Sequence, residues 1–271
     1  MKFKKFLSLV LSLMLILSVA PMRLFSITAS AETATSGTTG DCTWTLDGTV
    51  LTISGSGSME NYTYSNSLPW GNSITEVIIK TGVAGIGDYA FPGCTGLTSI
   101  TLPDSIKSIG NNAFSGCIGL TSIMIPDSIT NIGSSAFSRC TGLTNITIPE
   151  NVTSIDSYVF YGCTGLTSIR IPDSVTSIDW NAFSGCTNLK EVHINDIAKW
   201  CSIKFNNDYS NPLYYASYLY LNDELITNLV IPDGVTNIGN YAFYSCTQIK
   251  SVTIPDSIKS IGDSVFSGCT G

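Results

Sequence analysis

Charged side chains are scarce in this chain. Lys, Arg, Asp and Glu make up 12% of its 271 residues, about half of the usual share of about 25%. This composition excludes a solvated, highly charged disordered chain. Basic residues are the scarcer sign, with 13 Lys and Arg against 20 Asp and Glu and a net charge of −7. A nucleic-acid partner is disfavoured, because neutralising phosphates requires clustered Lys and Arg.

Catalytic parts are also missing. The single histidine, His193, argues against a histidine-based active site or metal cage. We find no nucleophile elbow, no phosphate loop and no His–carboxylate spacing suited to catalysis. No C-x-x-C pair indicates a zinc site. The sequence therefore predicts a protein that is not an enzyme and that has no metal and no small-molecule cofactor.

The abundant side chains are apolar or hydroxyl-bearing. Apolar residues reach 44%, and Ser and Thr occupy 66 positions. The apolar residues suffice for a substantial core, and the hydroxyls replace charge as the main polar surface. No apolar run reaches the roughly 20 residues that a membrane-spanning helix needs.

The first residues have the pattern of a secretory signal peptide. Lys2, Lys4 and Lys5 precede an apolar run over residues 6–20, and the small residues at 29–31 suit signal peptidase. We expect cleavage after Ala31, with a membrane anchor as the alternative. Removal of residues 1–31 leaves 9 basic and 20 acidic residues, which aids solubility without indicating a partner.

A period of 23 residues organises most of the chain beyond this segment. Seven of the nine cysteines mark it, with one longer gap of 60 positions before the last two. The marking residues are Cys94, Cys117, Cys140, Cys163, Cys186, Cys246 and Cys269. Each unit reads close to L-T-S-I-x-I-P-D-S-V-T-S-I-G-x-x-A-F-S-G-C-T-G. A fixed period of this length with an L-x-x-I-x-I core indicates a leucine-rich-repeat solenoid.

One coil can be interpreted residue by residue. Ile100 and Leu102 alternate with hydroxyls, which predicts a short strand with one buried face. Pro103 ends that strand because proline cannot donate to a sheet ladder. Ile109 and Phe114 then return to the core. Stacked coils bury these side chains against one another, so the exposed ends of the array need caps.

The repeats resemble the BspA-like, treponemal-type leucine-rich repeats of bacterial surface proteins over roughly residues 72–271. The resemblance implies a β-rich solenoid, secretion or surface display, and protein binding, with adhesion to host matrix proteins or other cells known in some members. The chain then divides into five parts. They are a signal peptide (1–31), an N-terminal linker and β cap (32–71), leucine-rich repeats (72–189), an insert in an enlarged repeat (190–225), and further repeats (226–271) whose array we expect to be truncated.

The cap and the insert are distinguished by their local patterns. Trp44 and Leu46 before Asp47-Gly48, with residues 50–53 after it, predict a β-hairpin that shields the first coil. In the insert, Asp196 and Asn211-Pro212 resemble helix starts, and residues 218–226 resemble a hairpin. The aromatic rings of the insert either pack a small core of its own or form a platform for a protein or sugar partner.

The candidate binding residues lie on the outward strand face and in the insert. The strand face is mostly small and uncharged, and its larger members are potential anchors; arginine is enriched at binding hot spots. The alternative is that the strand face is an ordinary solvated surface with no binding role. The candidate residues are Met124, Arg170, His193, Trp200, Tyr209, Tyr214 and Tyr215.

Two kinds of residue recur once per coil, the cysteines and a series of acids, and each has more than one chemical interpretation. We expect the cysteines to be free, buried thiols that act as small hydrophobes, with disulfides between stacked coils as the poorly aimed alternative. The acids at 104, 127, 150, 173, 233 and 256 also recur once per coil. Turn formation explains them, and calcium bridging is the alternative.

Together these patterns predict a secreted or cell-surface protein that mediates protein–protein binding or adhesion. The expected partner is an extracellular protein or a cell-surface component, with a glycan as a further option. The alternative function is a non-catalytic binding or spacer arm of a larger exported enzyme.

Overall fold

A computed structural model describes residues 35–65 and 68–271. The predicted signal peptide therefore lies outside the described residues. The described part contains twenty short strands, one α-helix and two 3₁₀ turns at Asp208–Ser210 and Pro212–Tyr214. The strands are β1 (Ser36–Thr39), β2 (Cys42–Asp47), β3 (Val50–Gly55), β4 (Gly57–Ser58), β5 (Glu76–Ile79), β6 (Val83–Ile86), β7 (Ser99–Thr101), β8 (Ser108–Ile109), β9 (Asn131–Ile132), β10 (Ser154–Ile155), β11 (Ser168–Arg170), β12 (Ser177–Ile178), β13 (Glu191–Ile194), β14 (Lys204–Phe205), β15 (Tyr218–Leu221), β16 (Glu224–Leu225), β17 (Asn228–Val230), β18 (Asn237–Ile238), β19 (Ser251–Thr253) and β20 (Ser260–Ile261), and the helix is α1 (Ile197–Ser202).

Each coil of the solenoid has two strand segments and a back segment. In the coil that begins with β7, Pro103 ends the first strand segment and its carbonyl accepts a hydrogen bond from the amide of Ile106 at 3.1 Å. The second strand, β8, buries Ile109, and the back segment buries Phe114. The predicted order of the coil is therefore confirmed. Its first strand is only three residues long, and Ile100 and Leu102 are partly rather than fully buried.

Successive coils pair in parallel. The first strands pair as β3–β5–β7, β11–β13–β15 and β17–β19, and the second strands pair as β4–β6–β8–β9, β10–β12–β14 and β18–β20. The register follows the 23-residue period where the repeat is regular, as in Ser154 opposite Ser177. Where the first strands around Met124 and Thr147 are too short to form a ladder, one bridge joins Thr147 to Arg170.

Phenylalanine rings form the central column of the core. Phe91, Phe114, Phe137, Phe160 and Phe183 are fully buried. Successive ring centroids lie between 5.3 and 6.0 Å apart, and the planes of all four pairs are within 23° of parallel. A ring in one coil thus covers the ring of the next coil, so each phenylalanine depends on its neighbours for burial.

The N-terminal cap is a β-hairpin with an additional strand. Strand β2 pairs with β3 in antiparallel fashion, and Asp47 lies opposite Val50. The turn is therefore at Gly48 and Thr49, one residue later than the predicted Asp47–Gly48, and Gly48 takes a left-handed φ of 60°. Trp44 of β2 is buried, and its ring packs edge-on against that of Trp70 with centroids 5.9 Å apart. Strand β1, which the sequence pattern did not indicate, pairs with the outer edge of β2.

The aromatic-rich insert forms an enlarged coil followed by a hairpin. Its strand β13 continues the ladder from β11, and β14 pairs with β12. Strand β15 pairs in parallel with β13 and turns back into β16. The buried residues of the insert belong to the same core as the repeats. The interpretation that the insert packs a small core of its own is therefore wrong, because its strands extend the ladders of the solenoid.

The predicted helix starts are present in the insert. The Oδ1 atom of Asp196 accepts hydrogen bonds from the amides of Ala198 at 2.7 Å and Lys199 at 3.1 Å, which caps α1. The side chain of Asn211 accepts from the amide of Leu213 at 2.9 Å, with Pro212 at the first position of a 3₁₀ turn. Both arrangements satisfy amides that a helical turn leaves without partners.

All nine cysteines are free thiols, and eight of them are buried. Four consecutive thiols of the ladder donate to a phenylalanine carbonyl of the preceding coil, as Cys140 does to Phe114 at 3.1 Å. Burial raises the pKa of Cys94, Cys140 and Cys186 to about 12. The expectation of free, buried thiols is confirmed.

Candidate functional site

The outward side of the first strands forms a surface that we call the sheet face. It comprises the outward-pointing side chains of β7, β11, β13 and β15 and of the extended segments around Met124 and Thr147. Register places Arg170 of β11 opposite His193 of β13, and His193 opposite Tyr220 of β15. Three of the larger side chains of the sheet face therefore lie next to one another on successive strands.

Arg170 is held in place by groups from two other segments. Its Nη2 atom forms an ion pair with Oδ1 of Asp223, and its Nη1 atom donates to Oδ1 of Asn195 at 2.9 Å. Asp223 lies in the turn between β15 and β16, where Asn222 and Asp223 both have left-handed φ values. The guanidinium is thus fixed by two partners, while its side chain remains 35% exposed.

His193 completes this cluster. Its Nδ1 atom donates to Oδ1 of Asp223 at 2.9 Å, and its Nε2 atom lies 3.5 Å from Oε2 of Glu191. Its ring stacks on Tyr220 with centroids 4.8 Å apart. Hydrogen bonds from Arg170 and then from His193 hold the pKa of Asp223 below its usual value. We refer to Arg170, His193, Tyr220 and Asp223 as the charged cluster.

Met124 lies on the same sheet face, two coils before Arg170. Its side chain is 86% exposed. It borders a shallow depression of about 450 Å³ that also includes Ile100, Leu102 and Pro126. The lining also includes Asp104 and Asp127. An exposed methionine can adapt its shape to a partner, because its thioether side chain is flexible and polarisable.

The tyrosines of the insert form a second group, away from the charged cluster. Tyr209 and Tyr214 have centroids 4.4 Å apart, and Tyr214 stacks parallel to Tyr244 at 5.7 Å. Tyr215 lies edge-on to Tyr214, and its hydroxyl accepts from the amide of Gly185 at 2.9 Å. We call Tyr209, Tyr214, Tyr215 and Tyr244 the tyrosine cluster. Its members are half-buried, so each offers part of a ring to solvent.

The tyrosine cluster also has an internal hydrogen bond. The hydroxyls of Tyr209 and Tyr214 lie 3.4 Å apart. This contact, together with burial, raises the pKa of Tyr214 to about 12. The Tyr214 hydroxyl is consequently harder to ionise than that of an ordinary tyrosine.

Trp200 is not on the surface. It is 1% exposed, its Nε1 atom donates to the carbonyl of Ala242 at 2.7 Å, and its ring packs on Phe205. Ile197, Trp200 and Cys201 are the buried residues of α1. Their i, i+3, i+4 spacing is that of one helix face, which is the signal that places Trp200 in the core. Its prediction as a binding residue is corrected accordingly.

Several residues of the site had no individual signal in the sequence. Asp223 fell in a predicted hairpin turn, but nothing indicated that this turn reaches Arg170. Tyr220 fell in a predicted strand, yet its pairing with His193 depends on the length of the enlarged coil. Tyr244 belongs to a later repeat and meets Tyr214 only through the stacking of coils.

Two further findings on the described residues concern metal sites and membrane-spanning helices. Across residues 35–65 and 68–271, no three His, Cys, Asp or Glu side chains are grouped so that they could hold a metal ion. In the same part of the chain, no helix has the length and apolar character needed to traverse a bilayer.

The stacked coils, parallel ladders and buried phenylalanine column define a leucine-rich-repeat solenoid. The family described as "BspA type Leucine rich repeat region" matches in six copies over residues 60–190 and 214–271. The chain therefore belongs to the BspA-type leucine-rich-repeat family. No curated protein matches it significantly.

Solved structures of bacterial leucine-rich-repeat proteins are similar to this chain. One from Eubacterium ventriosum is 26% identical with a TM-score of 0.56, over 87% of this chain and 64% of that protein. The T. pallidum leucine-rich-repeat protein TpLRR is 24% identical with a TM-score of 0.47, over 81% and 91%. A leucine-rich cell surface protein from Faecalibacterium prausnitzii is 27% identical with a TM-score of 0.40, over 84% and 73%. The chain thus spans less than two thirds of the E. ventriosum protein.

Proposed function

We propose that the protein is exported, remains at the cell surface or is secreted, and binds an extracellular protein through the sheet face and the tyrosine cluster. Family membership supports a binding scaffold built from leucine-rich repeats. The basic start, apolar run and small residues at 29–31 support export.

The main support for the proposal is the fixed orientation of the Arg170 side chain. Asp223 and Asn195 orient its guanidinium, and the rings of His193 and Tyr220 stack beside it with centroids 4.8 Å apart. Arginine and tyrosine are among the residues most enriched at binding hot spots. Side chains that are already ordered lose less conformational entropy when a partner binds.

Adhesion is the specific activity we infer for this surface. The tyrosine cluster adds contact area from side chains with only two rotatable angles, so its ordering costs little. Its position apart from the charged cluster favours an extended partner, such as a matrix protein, over a small ligand.

The binding assay uses immobilised extracellular matrix proteins and surface plasmon resonance. We expect saturable binding by the purified protein, at least tenfold weaker binding for Arg170→Ala, and a similar loss for the double variant Tyr214→Ala/Tyr215→Ala. Lys107→Ala is the matched control, because Lys107 is exposed, precedes β8 rather than a first strand, and carries the same charge. Absence of saturable binding, or equal binding by all four proteins, contradicts the proposal.

Export is tested separately. Expression of the full chain in a bacterial host and mass spectrometry of the exported protein should give a mature chain that begins at Glu32. Retention of residues 1–31 in the exported protein would contradict the proposed cleavage.

A further inference from the structure

A second surface of the solenoid has features that the proposed function does not use, although its Gly185 contacts Tyr215 of the tyrosine cluster. It is the ridge formed by the residue before each repeat cysteine, where the backbone is left-handed. Five coils place glycine there, which is the residue that tolerates this conformation without cost. One coil has Arg139 with a φ of 58°, and another has Ser245 with a φ of 57°. The glycines are Gly93, Gly116, Gly162, Gly185 and Gly268.

Arg139 occupies a backbone conformation that L-residues adopt only at a cost. Its side chain is exposed, and the guanidinium carbon lies 5.9 Å from the centre of the Tyr161 ring. Among the described residues the ion pairs involve only Arg170 and His193, so Arg139 has no carboxylate partner there. A strained position thus presents a cation with no ionic partner in the described chain.

Arg139 lies at the edge of a groove with a volume of about 1010 Å³. The groove extends over successive coils from Tyr89 to Arg139 and Tyr161. Gly93 and Gly116 keep it open: a β-carbon at Gly93 would meet no atom within 4 Å, and one at Gly116 would meet none closer than 3.5 Å. Two ridge positions in the lining therefore carry no side chain, and the third carries arginine.

The residues that line the groove favour an anionic ligand. None of the described lining residues is Asp or Glu, although the chain contains 20 of them, and Arg139 is the one charged residue among them. Guanidinium groups pair with carboxylates through two parallel hydrogen bonds. The remaining polar groups of the lining are neutral amides and hydroxyls, such as those of Asn112 and Ser138.

The backbone along the ridge is not available to a peptide strand. The amide of Gly93 donates to the backbone carbonyl of Ser115 at 2.7 Å, and the amide of Gly116 donates to the backbone carbonyl of Ser138 at 2.8 Å. The backbone amide of Arg139 donates in the same way to the backbone carbonyl of Tyr161. Recognition of an extended peptide by strand addition needs unpaired main-chain groups, and these amides are already paired between coils.

We propose that this groove binds a carboxylate-bearing oligosaccharide, in which Arg139 pairs with the carboxylate and the rings of Tyr89 and Tyr161 pack against the sugar. Aromatic faces offer an apolar, electron-rich surface to the C–H groups of a pyranose ring. The neutral amides and hydroxyls of the lining then pair with sugar hydroxyls. A volume of about 1010 Å³ is at the upper end of the range of ligand sites, which suits an oligosaccharide rather than a single sugar.

Calorimetric titration of the purified protein tests this proposal. The probes are trisaccharides that carry galacturonate, glucuronate or sialic acid, and each is compared with its own methyl ester, which lacks the charge. We expect at least one acidic trisaccharide to bind tenfold or more tightly than its ester. Arg139→Gly restores the residue that most other coils carry, so it should fold with an equal or higher thermal midpoint and lose tenfold or more in affinity.

Ser245→Gly is the matched control. It makes the same backbone change at the equivalent position of a distant coil, so it should bind the acidic trisaccharide as the wild type does. Equal binding of acid and ester, no binding of any acidic probe, or unchanged binding by Arg139→Gly overturns the proposal. Tighter binding of an aspartate-rich peptide than of every acidic sugar would overturn it as well.

The groove is separate from the surfaces of the proposed protein-binding function. None of the groove residues belongs to the charged cluster or to the tyrosine cluster. Arg139→Gly should therefore leave binding to matrix proteins unchanged, and Arg170→Ala should leave binding to the acidic trisaccharide unchanged.

Discussion

The guanidinium of Arg170 in β11 pairs with the carboxylate of Asp223 in the β15–β16 turn, although the two residues are 53 positions apart in the chain. The enlarged coil brings them together, since β13 lies between their strands and contributes His193 to the same carboxylate. A hairpin turn at the end of one ladder thereby orients an arginine two strands away.

Protonation of Asp223 should weaken this arrangement. Its pKa is lowered in the folded protein by Arg170 and then by His193, so the contact is complete above the ordinary aspartate value of about 3.9. It is lost as the pH falls through the lowered folded pKa. Glu191 also faces His193, as a second carboxylate beside the same ring.

A carboxyl ¹³C NMR titration of Asp223 checks this prediction. The midpoint should lie below about 3.9 in the wild type and should rise in Arg170→Gln, with His193→Gln giving a smaller rise. A wild-type midpoint at or above the ordinary value would contradict the ion pair.

Thiol reactivity should report the burial of the cysteine ladder. Eight cysteines are buried and Cys269 is partly exposed. Burial raises the pKa of Cys94, Cys140 and Cys186 to about 12, so the reactive thiolate is scarce at neutral pH. Titration with a thiol reagent should modify at most Cys269 rapidly in the native protein. Denatured, unreduced protein should yield nine thiols, and a clearly smaller number would reveal disulfides.

Removal of one ring from the phenylalanine column should be costly. Phe137 is fully buried between Phe114 at 5.6 Å and Phe160 at 6.0 Å. Phe137→Ala should lower the free energy of unfolding by about 3–5 kcal/mol, because it loses buried surface and leaves a cavity. Met124→Ala, at a position that is 86% exposed, should change it by less than about 0.5 kcal/mol. Chemical denaturation compares the two, and similar losses would argue against the stacked column.

Capping of α1 gives a prediction with a conservative control. Asp196 accepts hydrogen bonds from two amides at the start of the helix. Asp196→Ala should cost about 0.5–2 kcal/mol of stability, whereas Asp196→Asn should cost little, because asparagine caps equally well. Thermal unfolding of both variants measures the difference. An equal loss in both would show that the charge, and not the cap, is responsible.

The regular part of this fold was predictable because each coil repeats the same pattern of strands, turns and buried residues. The 23-residue spacing of cysteines such as Cys117 and Cys140 predicted the stacking of coils and the burial of the thiols. The apolar slots of one unit predicted the core positions of Ile109 and Phe114. The cap hairpin was predictable from its turn residues, to within one residue.

The irregular part depended on contacts that no local pattern records. The pairing of His193 with Tyr220 depends on how the enlarged coil closes, and that spacing departs from the repeat. Asp223 reaches Arg170 only once the hairpin has folded back. Trp200 was predicted on the surface because the density of aromatic residues in the insert outweighed the helical spacing that places it in the core. Arg139 stood in a repeat slot whose left-handed backbone only the structure shows.

Binding to whole cells tests the central claim most directly. Fluorescently labelled wild-type protein, Arg170→Ala and Lys107→Ala are titrated onto intact host cells, and bound label is measured by flow cytometry. We expect saturable binding by the wild type and by Lys107→Ala, with apparent affinities within twofold, and at least tenfold weaker binding by Arg170→Ala. Saturable binding that is identical for all three proteins, or no saturable binding at all, would contradict a binding role for the sheet face.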